Sequence, residues 1–261
     1  MTPIIAIANQ KGGVGKTTTT NNLGKYLANK GFKVLLIDLD PQGNLSYTFT
    51  GKAIADEALI LDIYDGKKIP PLNVINNLDL YCANSELTTI SERGDNGYFQ
   101  LKEGIEGIIS EYDIVLIDCL PTLSTGLVSA LVAATHVLIP AAPNDLSSQG
   151  LHDLIGRIQQ IQRRMNANLD LLGLILTAVE DNTKSSKETE LLIRNTYKNY
   201  VFSAKTRKSI DMLQSHNKEN NSKDITRIVP KKPISQDFKE FAEEFINRLN
   251  LTTHKNIKSV G

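Results

Sequence analysis

Short apolar runs alternate along the chain with longer stretches whose apolar residues recur at helical spacing. Residues 4–8 read as a strand. Residues 17–30 read as a helix, with Leu23 and Leu27 on one face and Gly31 just past its end. Further strands are predicted at 33–39, 113–118, 136–140, 171–177 and 200–204. Residues 236–249 read as a last helix, because Phe238, Phe241, Ala242, Phe245, Ile246 and Leu249 form one apolar stripe. Strands that are apolar throughout, with helices between them, predict an α/β fold: a mostly parallel, twisted sheet with helices on both faces. In such sheets ligands bind beyond the carboxyl ends of the strands. Residues 181–186 and 216–223 are polar enough to be loops. No internal repeat is visible. Residues 1–250 are expected to form one domain, and residues 251–261 a flexible tail.

One stretch complicates this picture. Residues 119–144 carry no charged side chain, a length that would suit a membrane span. Pro121, Pro140 and Pro143, with Ser, Thr, Asn and His side chains among them, favour a strand end, a turn, a buried helix and a buried strand instead. Residues 1–9 have neither the basic segment nor the small-residue cleavage site of a signal peptide. At 261 residues and 41% hydrophobic, the chain can bury a substantial core. Cys82 and Cys119 lie in no CxxC or Cys/His cluster, so neither a disulfide framework nor a zinc site is expected, and a reducing cytoplasm fits.

The strongest chemical signal is Lys11-Gly12-Gly13-Val14-Gly15-Lys16-Thr17, directly after the first strand and opening the first helix. Gly12, Gly13 and Gly15, with the Val14 amide between them, let backbone N–H groups curl around a phosphate without Cβ clashes. The helix N-terminus adds partial positive charge. Lys16 can reach the β- and γ-oxygens of a triphosphate, the Thr17 hydroxyl can ligate Mg2+, and Thr18 could bond the α-phosphate. The bland alternative is a glycine turn between strand and helix; agreement over seven residues in a strand–loop–helix context argues against it.

Two carboxylate elements accompany the loop. In Val34-Leu35-Leu36-Ile37-Asp38-Leu39-Asp40-Pro41-Gln42-Gly43-Asn44, a buried strand ends in Asp38 and Asp40, two residues apart and so on one face. One can orient water while the other supports a Mg2+ shell; a helix cap and turn is the competing reading. In Tyr112-Asp113-Ile114-Val115-Leu116-Ile117-Asp118, an apolar strand ends in an aspartate in the Walker B pattern, and Asp118 would hold Mg2+ through a water. Cys119 reads as a small buried residue beside the site rather than a reactive thiol.

The glycine-rich loop departs from GxxxxGK[ST]. Gln10 stands where the first glycine belongs, and Lys11 follows it. KGGxGK[ST] is the deviant Walker A form, and the sequence resembles the ParA/MinD/NifH superfamily of P-loop NTPases and, within it, the ParA/Soj partition proteins. The resemblance covers most of residues 3–180. It implies ATP and Mg2+ as cofactors. It implies that Lys11 crosses a homodimer interface to the partner's nucleotide, although Lys11 could equally bind phosphate within its own subunit; either role supplies charge to phosphoryl transfer. The run Asp38-Leu39-Asp40-Pro41-Gln42-Gly43-Asn44 is similar to the ParA/Soj motif, which implies that Asp40 positions the attacking water and Asp38 helps organise Mg2+ and the loop. Leu120-Pro121-Thr122-Leu123-Ser124 departs from the family's two prolines followed by Ser-Leu, so a switch-like loop is expected with altered packing. Base contacts are implied near 177–182 and 205–212, but the family's proline-containing late motif is not evident in 204–213.

Twenty-nine basic residues balance twenty-nine acidic ones, so the total charge selects no partner. Its distribution is less even. Residues 184–232 hold twelve Lys or Arg against five Asp or Glu, a net of +7 that the rest of the chain must offset. A basic surface with few aromatics suits sequence-independent contact with phosphates; an ordinary solvated face is the alternative. The family resemblance implies nonspecific DNA binding in this region. Lys184, Lys187, Lys205, Arg207 and Lys208 are the leading candidates, followed by Arg227, Lys231 and Lys232.

The resulting expectation is a plasmid- or chromosome-partition ATPase, cytoplasmic and nucleoid-associated. It would dimerise on ATP, bind double-stranded DNA and be stimulated by a centromere-binding ParB-like protein. Because the chain begins at its first strand, it is expected to lack the helix-turn-helix region of larger ParA proteins. A MinD-like membrane-surface ATPase would need a basic amphipathic C-terminal helix, whereas residues 236–249 carry Asp237, Glu240, Glu243 and Glu244. A NifH-like cluster protein would need suitably placed cysteines, and a bacterial tyrosine kinase a tyrosine-rich tail.

Overall fold

The computed structural model describes residues 1–122, 124–143, 148–180 and 183–253. Its eight strands are β1 (Ile4–Ile7), β2 (Val34–Asp38), β3 (Leu72–Ile75), β4 (Leu78–Tyr81), β5 (Ile114–Asp118), β6 (His136–Ala141), β7 (Asp170–Val179) and β8 (Val201–Arg207). They form one sheet in the order β3–β4–β2–β5–β1–β6–β7–β8. Every neighbouring pair is parallel except β3 and β4, an antiparallel hairpin at one edge.

The period of two along the strands sorts side chains onto two cores. Ile4 and Ala6 of β1, with Leu35 and Ile37 of β2, belong to one. Helices α3 (Ile60–Tyr64), α4 (Gly97–Ile105), α5 (Thr125–Ala133) and α6 (Ser148–Arg164) contribute to it. Ile5 and Ile7, with Val34 and Leu36, belong to the other. That face is covered by α1 (Lys16–Asn29), α2 (Asn44–Thr50), α9 (Ile225–Ile228) and α10 (Pro233–Leu249). Two further helices, α7 (Lys184–Tyr197) and α8 (Ile210–Gln214), flank β8. After β1 the chain builds one half of the sheet, inserts β5 beside β1, and then builds the other half through β6, β7 and β8. The change of direction leaves a crevice at the carboxyl ends of β5, β1 and β6.

The uncharged stretch 119–144 contains the buried helix α5 and the buried strand β6, as its prolines indicated. Leu123 and Asn144 lie outside the described residues. No helix among the described residues is long and apolar enough to cross a membrane. The hairpin β3–β4 and the helices α2, α3 and α4 add to the elements expected. β3 is an edge strand with mixed polarity, so no apolar run marks it. β8 runs three residues further than expected, through Lys205, Thr206 and Arg207. The expected loop at 216–223 contains a turn of 3-10 helix at Lys218–Asn220 and is tied into the core, as described below.

Candidate nucleotide site

β1 delivers the chain into a loop that α1 closes. Asn9 fixes the loop's entry: its amide donates to the Pro140 carbonyl at 2.7 Å, and its oxygen accepts the Lys11 N–H at 3.0 Å. Thr177 of β7 donates to the Val14 carbonyl at 2.8 Å and holds the middle of the loop. Gly13 and Gly15 adopt φ of 76° and 87°, a region that strains any residue with a Cβ. No side chain caps the start of α1, and its first turn holds no acid. Its leading N–H groups and the positive end of its dipole are therefore directed at whatever the loop encloses. Lys16 is buried and donates from Nζ to the Lys11 carbonyl at 3.0 Å. Burial lowers its pKa, against the opposing pull of Asp118. Lys11 is exposed.

The carboxylates come from neighbouring strands. Asp38 and Asp118 end β2 and β5 and are register partners across the ladder. They share the parity of Leu36 and Leu116, so both face the side that α1 covers. Both are buried, at 0% and 1% exposure. Asp38 Oδ1 accepts the Asp40 N–H at 3.1 Å, and its Oδ2 accepts the Ser46 N–H and hydroxyl at 2.9 and 2.7 Å. Asp38 thus organises the start of α2 and the turn carrying Asp40, and burial pushes its pKa up to about 6. Asp118 is different. Thr17 and Thr20 donate to it, the latter to Oδ1 at 3.3 Å, but its buried Oδ2 has no hydrogen-bond partner. Burial, and then the charge of Asp38, hold its pKa well above the usual carboxylate range. A buried, unsatisfied carboxylate oxygen beside a threonine hydroxyl and a lysine suits a divalent cation, so the donor set fits Mg2+. Asp40 is half-buried just beyond β2, where its Oδ1 accepts the Gln42 N–H at 3.0 Å.

A cavity of about 120 Å3 opens beside the loop. Gly13, Gly15 and Thr18 line one side, and Thr177, Ala178, Thr206, Met212 and Leu213 the other. The uncapped helix start, the buried lysine and the two buried carboxylates match the phosphates and Mg2+ of a nucleoside triphosphate, and the slot opens beside the same loop.

Comparison with known proteins agrees. The AAA domain family AAA_31 matches residues 2–171. The sporulation initiation inhibitor protein Soj of Bacillus subtilis is 37% identical over 195 residues, covering 70% of this chain and 75% of Soj. The chromosome-partitioning ATPase Soj of Thermus thermophilus is 30% identical over 94% of this chain and 96% of its own. This chain belongs to the ParA/MinD-type partition ATPases. Two solved structures resemble this ATPase along almost its whole length. A plasmid partition protein from Borrelia burgdorferi bound to AMPPNP has a TM-score of 0.78 at 28% identity, covering 95% of this chain and all of that one. Cobyrinic acid a,c-diamide synthase from Mycobacterium smegmatis, with ADP and magnesium, has a TM-score of 0.80 at 25% identity, covering 97% and 99%.

Four of the five basic residues singled out in this ParA-type chain have a carboxylate partner within the subunit. Lys184 and Lys187 are exposed on the first turn of α7, with Lys184 3.7 Å from Glu188. Lys205 is half-buried and pairs with Glu190 at 3.0 Å. Arg207 makes a forked contact with Asp237 at 2.6 and 2.8 Å, and Lys208 pairs with Glu180. Arg207 and Lys208 also line the slot beside the P-loop. Carboxylates inside and outside the 184–232 segment therefore temper its formal excess of positive charge. Cys119 is buried, and burial pushes its thiol pKa up.

Several residues that build the site carry no motif. Asn9, Thr20, Ser46 and Thr177 act through individual hydrogen bonds to distant residues, which leave no periodic or compositional mark. Gln10 has a buried amide nitrogen with no partner at the head of the loop. His216 is the largest omission: composition reads it as part of a polar loop, yet it bonds Thr18 of α1 and Thr48 of α2, both at 3.0 Å.

Proposed function

We propose that this ATPase is a nucleotide-switched partition protein for a plasmid or chromosome. ATP and Mg2+ bind at the P-loop, and two copies close face to face over the nucleotides. The ATP-bound dimer holds double-stranded DNA regardless of sequence. A centromere-binding, ParB-like partner then stimulates hydrolysis to ADP and phosphate and releases the DNA. The observation that carries this reading is the pairing of a deviant P-loop with Asp38 and Asp118 in register at the ends of β2 and β5. Residues 1–250 serve as one ATPase domain with the basic region inside it, and the protein works in the cytoplasm, on the nucleoid.

Each residue has a task in this account. The amides of Gly12, Gly13, Val14 and Gly15 cradle the β-phosphate, Lys16 reaches the β- and γ-oxygens, and Thr18 meets the α-phosphate. Thr17 and Asp118 hold Mg2+, with Asp38 behind them fixing the turn. Mg2+, when bound, neutralises charge on the β- and γ-oxygens. Asp40 orients the attacking water, and Lys11 reaches the nucleotide of the second subunit. Lys184, Lys187 and Lys205 contact DNA phosphates. Arg207 and Lys208 do so only in part, because their position at the slot gives them access to the nucleotide as well. A membrane role has little support in α10, whose Phe238, Phe241 and Phe245 are buried against its own sheet.

Two variants test this reading. Lys11→Ala is expected to keep nucleotide binding and lose ATP-dependent dimerisation in sedimentation velocity; an unchanged dimer would make Lys11 a ligand within its own subunit. Asp40→Ala is expected to bind ATP, hydrolyse it at under a tenth of the wild-type rate and accumulate as dimer, about 1.4 kcal/mol or more in the barrier. Wild-type turnover would remove Asp40 from catalysis.

A further inference from the structure

The segment after α8 is wedged between α1 and α2 by a polar seam. Asn21 Nδ2 donates to the Ser215 carbonyl at 3.3 Å, and Asn22 Nδ2 to the Ser215 hydroxyl at 2.8 Å. Lys25, fully buried, donates to the carbonyls of Ser215 and Asn220, both at 3.1 Å. These contacts hold His216 between two hydroxyls. Its Nδ1 lies 3.0 Å from Thr48 Oγ1 in α2, and its Nε2 lies 3.0 Å from Thr18 Oγ1 in the first turn of α1. Burial, and then the charge of Lys25, lower the His216 pKa to about 4, so the ring is neutral at physiological pH.

The direction of these bonds follows from proton counting. The Thr48 hydroxyl donates its proton to the Asn44 carbonyl at 3.1 Å. With its proton there it accepts from the ring, and His216 then carries its proton on Nδ1. Nε2 is then an acceptor, and the Thr18 hydroxyl must donate to it. A phosphate oxygen offers no proton. For the Thr18 hydroxyl to donate to a phosphate, it must give up Nε2 as its acceptor. Two lone pairs would then face each other unless Nε2 gains a proton. The neutral ring achieves this by changing tautomer: Nδ1 loses a proton to solvent, Nε2 takes one from it, and there is no net uptake. Nδ1 becomes an acceptor, and Thr48 must turn its proton from the Asn44 carbonyl to the ring.

We propose that His216 is a positioning residue that relays phosphate contact at Thr18 to helix α2 by reversing the Thr18–His216–Thr48 hydrogen-bond chain. The proposal rests on the reading of the P-loop as a nucleoside-phosphate site. Its output is well placed. α2 begins four residues after Asp40, and the Asp38 carboxylate holds Ser46 within it. Turning the Thr48 hydroxyl from the Asn44 carbonyl removes one side-chain bond from the first turn of α2, next to the turn that carries Asp40. His216 also follows α8, whose Met212 and Leu213 line the slot, so one short segment adjoins base, phosphate and α2.

The test is 15N NMR of the full chain labelled at histidine, with His216 assigned through His216→Gln; the four histidines make this tractable. Without nucleotide, Nδ1 is expected protonated and Nε2 bare. Saturating Mg-ADP is expected to reverse the two, while adenosine, which has no phosphate, leaves them unchanged. A ring unchanged by Mg-ADP, with binding verified by calorimetry on the same sample, would overturn the relay and leave the nucleotide site standing. Absence of ADP binding would overturn the nucleotide reading itself. Reversal by adenosine alone would also refute a phosphate relay. Thr18→Val, measured at saturating Mg-ADP, is expected to freeze the ring in its starting tautomer; a ring that still reverses would overturn the role of the Thr18 hydroxyl.

Discussion

At the scale of single residues, the site is defined by what is buried without full compensation. Asp118 Oδ2 has no partner, and burial, then the charge of Asp38, raise the pKa of its carboxyl. A cation beside it opposes that shift. Asp118→Asn keeps the shape and removes the charge. It is expected to weaken Mg2+-dependent nucleotide binding at least tenfold, about 1.4 kcal/mol, and to leave Mg2+-free binding unchanged or stronger. Calorimetric titration with and without Mg2+ separates the two; equal losses in both conditions would argue against a cation at Asp118. Lys25 makes a second case. Burial lowers its pKa from the ordinary 10.5 to about 7. Between these values the unfolded chain binds the extra proton, so stability rises with pH across that window and is lost as pH falls towards 7. Lys25→Met is therefore expected to flatten the pH dependence of urea midpoints between about pH 7 and 10. An unchanged slope would show that the buried amine stays charged.

At the scale of elements, legibility followed apolar pattern and loop chemistry. β1, β2, β5 and β6 are buried on both faces, so their runs of Ile, Leu and Val could be read directly. The P-loop was legible because its chemistry needs a fixed residue type at each position. The hairpin β3–β4 was not: β3 is half-exposed, and Asn76-Asn77 joins strands too short to carry a period. The three residues missing from β8 have the same cause, since an edge strand tolerates Lys205 and Arg207 on its open side. The His216 seam was illegible because its partners lie 168 and 198 residues away in sequence. α10 was read from its stripe, and the stripe bears weight. Phe241 is 1% exposed and meets Phe202, Phe238 and Phe245 edge-on, with centroids 5.3, 5.7 and 6.3 Å apart. Phe241→Ala is expected to cost about 3–5 kcal/mol in urea unfolding with an unchanged m value. A loss under 1 kcal/mol would mean that α10 is peripheral to the fold.

At the scale of the whole molecule, a neutral chain must arrange its charge to hold DNA, and most of the basic residues of the 184–232 region described above are ion-paired within the subunit. Lys184→Ala with Lys187→Ala tests the surface without touching the slot. The pair is expected to weaken DNA binding equally across sequences and to reduce the salt slope by about 1–2 per subunit, with basal ATPase activity intact. The most direct test of the central claim is binding of the wild-type protein to random-sequence duplex DNA with Mg-ATP, with Mg-ADP and without nucleotide, across a salt series. Binding that requires Mg-ATP and falls steeply with salt is the predicted result. DNA binding that is absent, or indifferent to nucleotide, while ATP is still hydrolysed would contradict the partition switch and leave an ATPase with a different cargo.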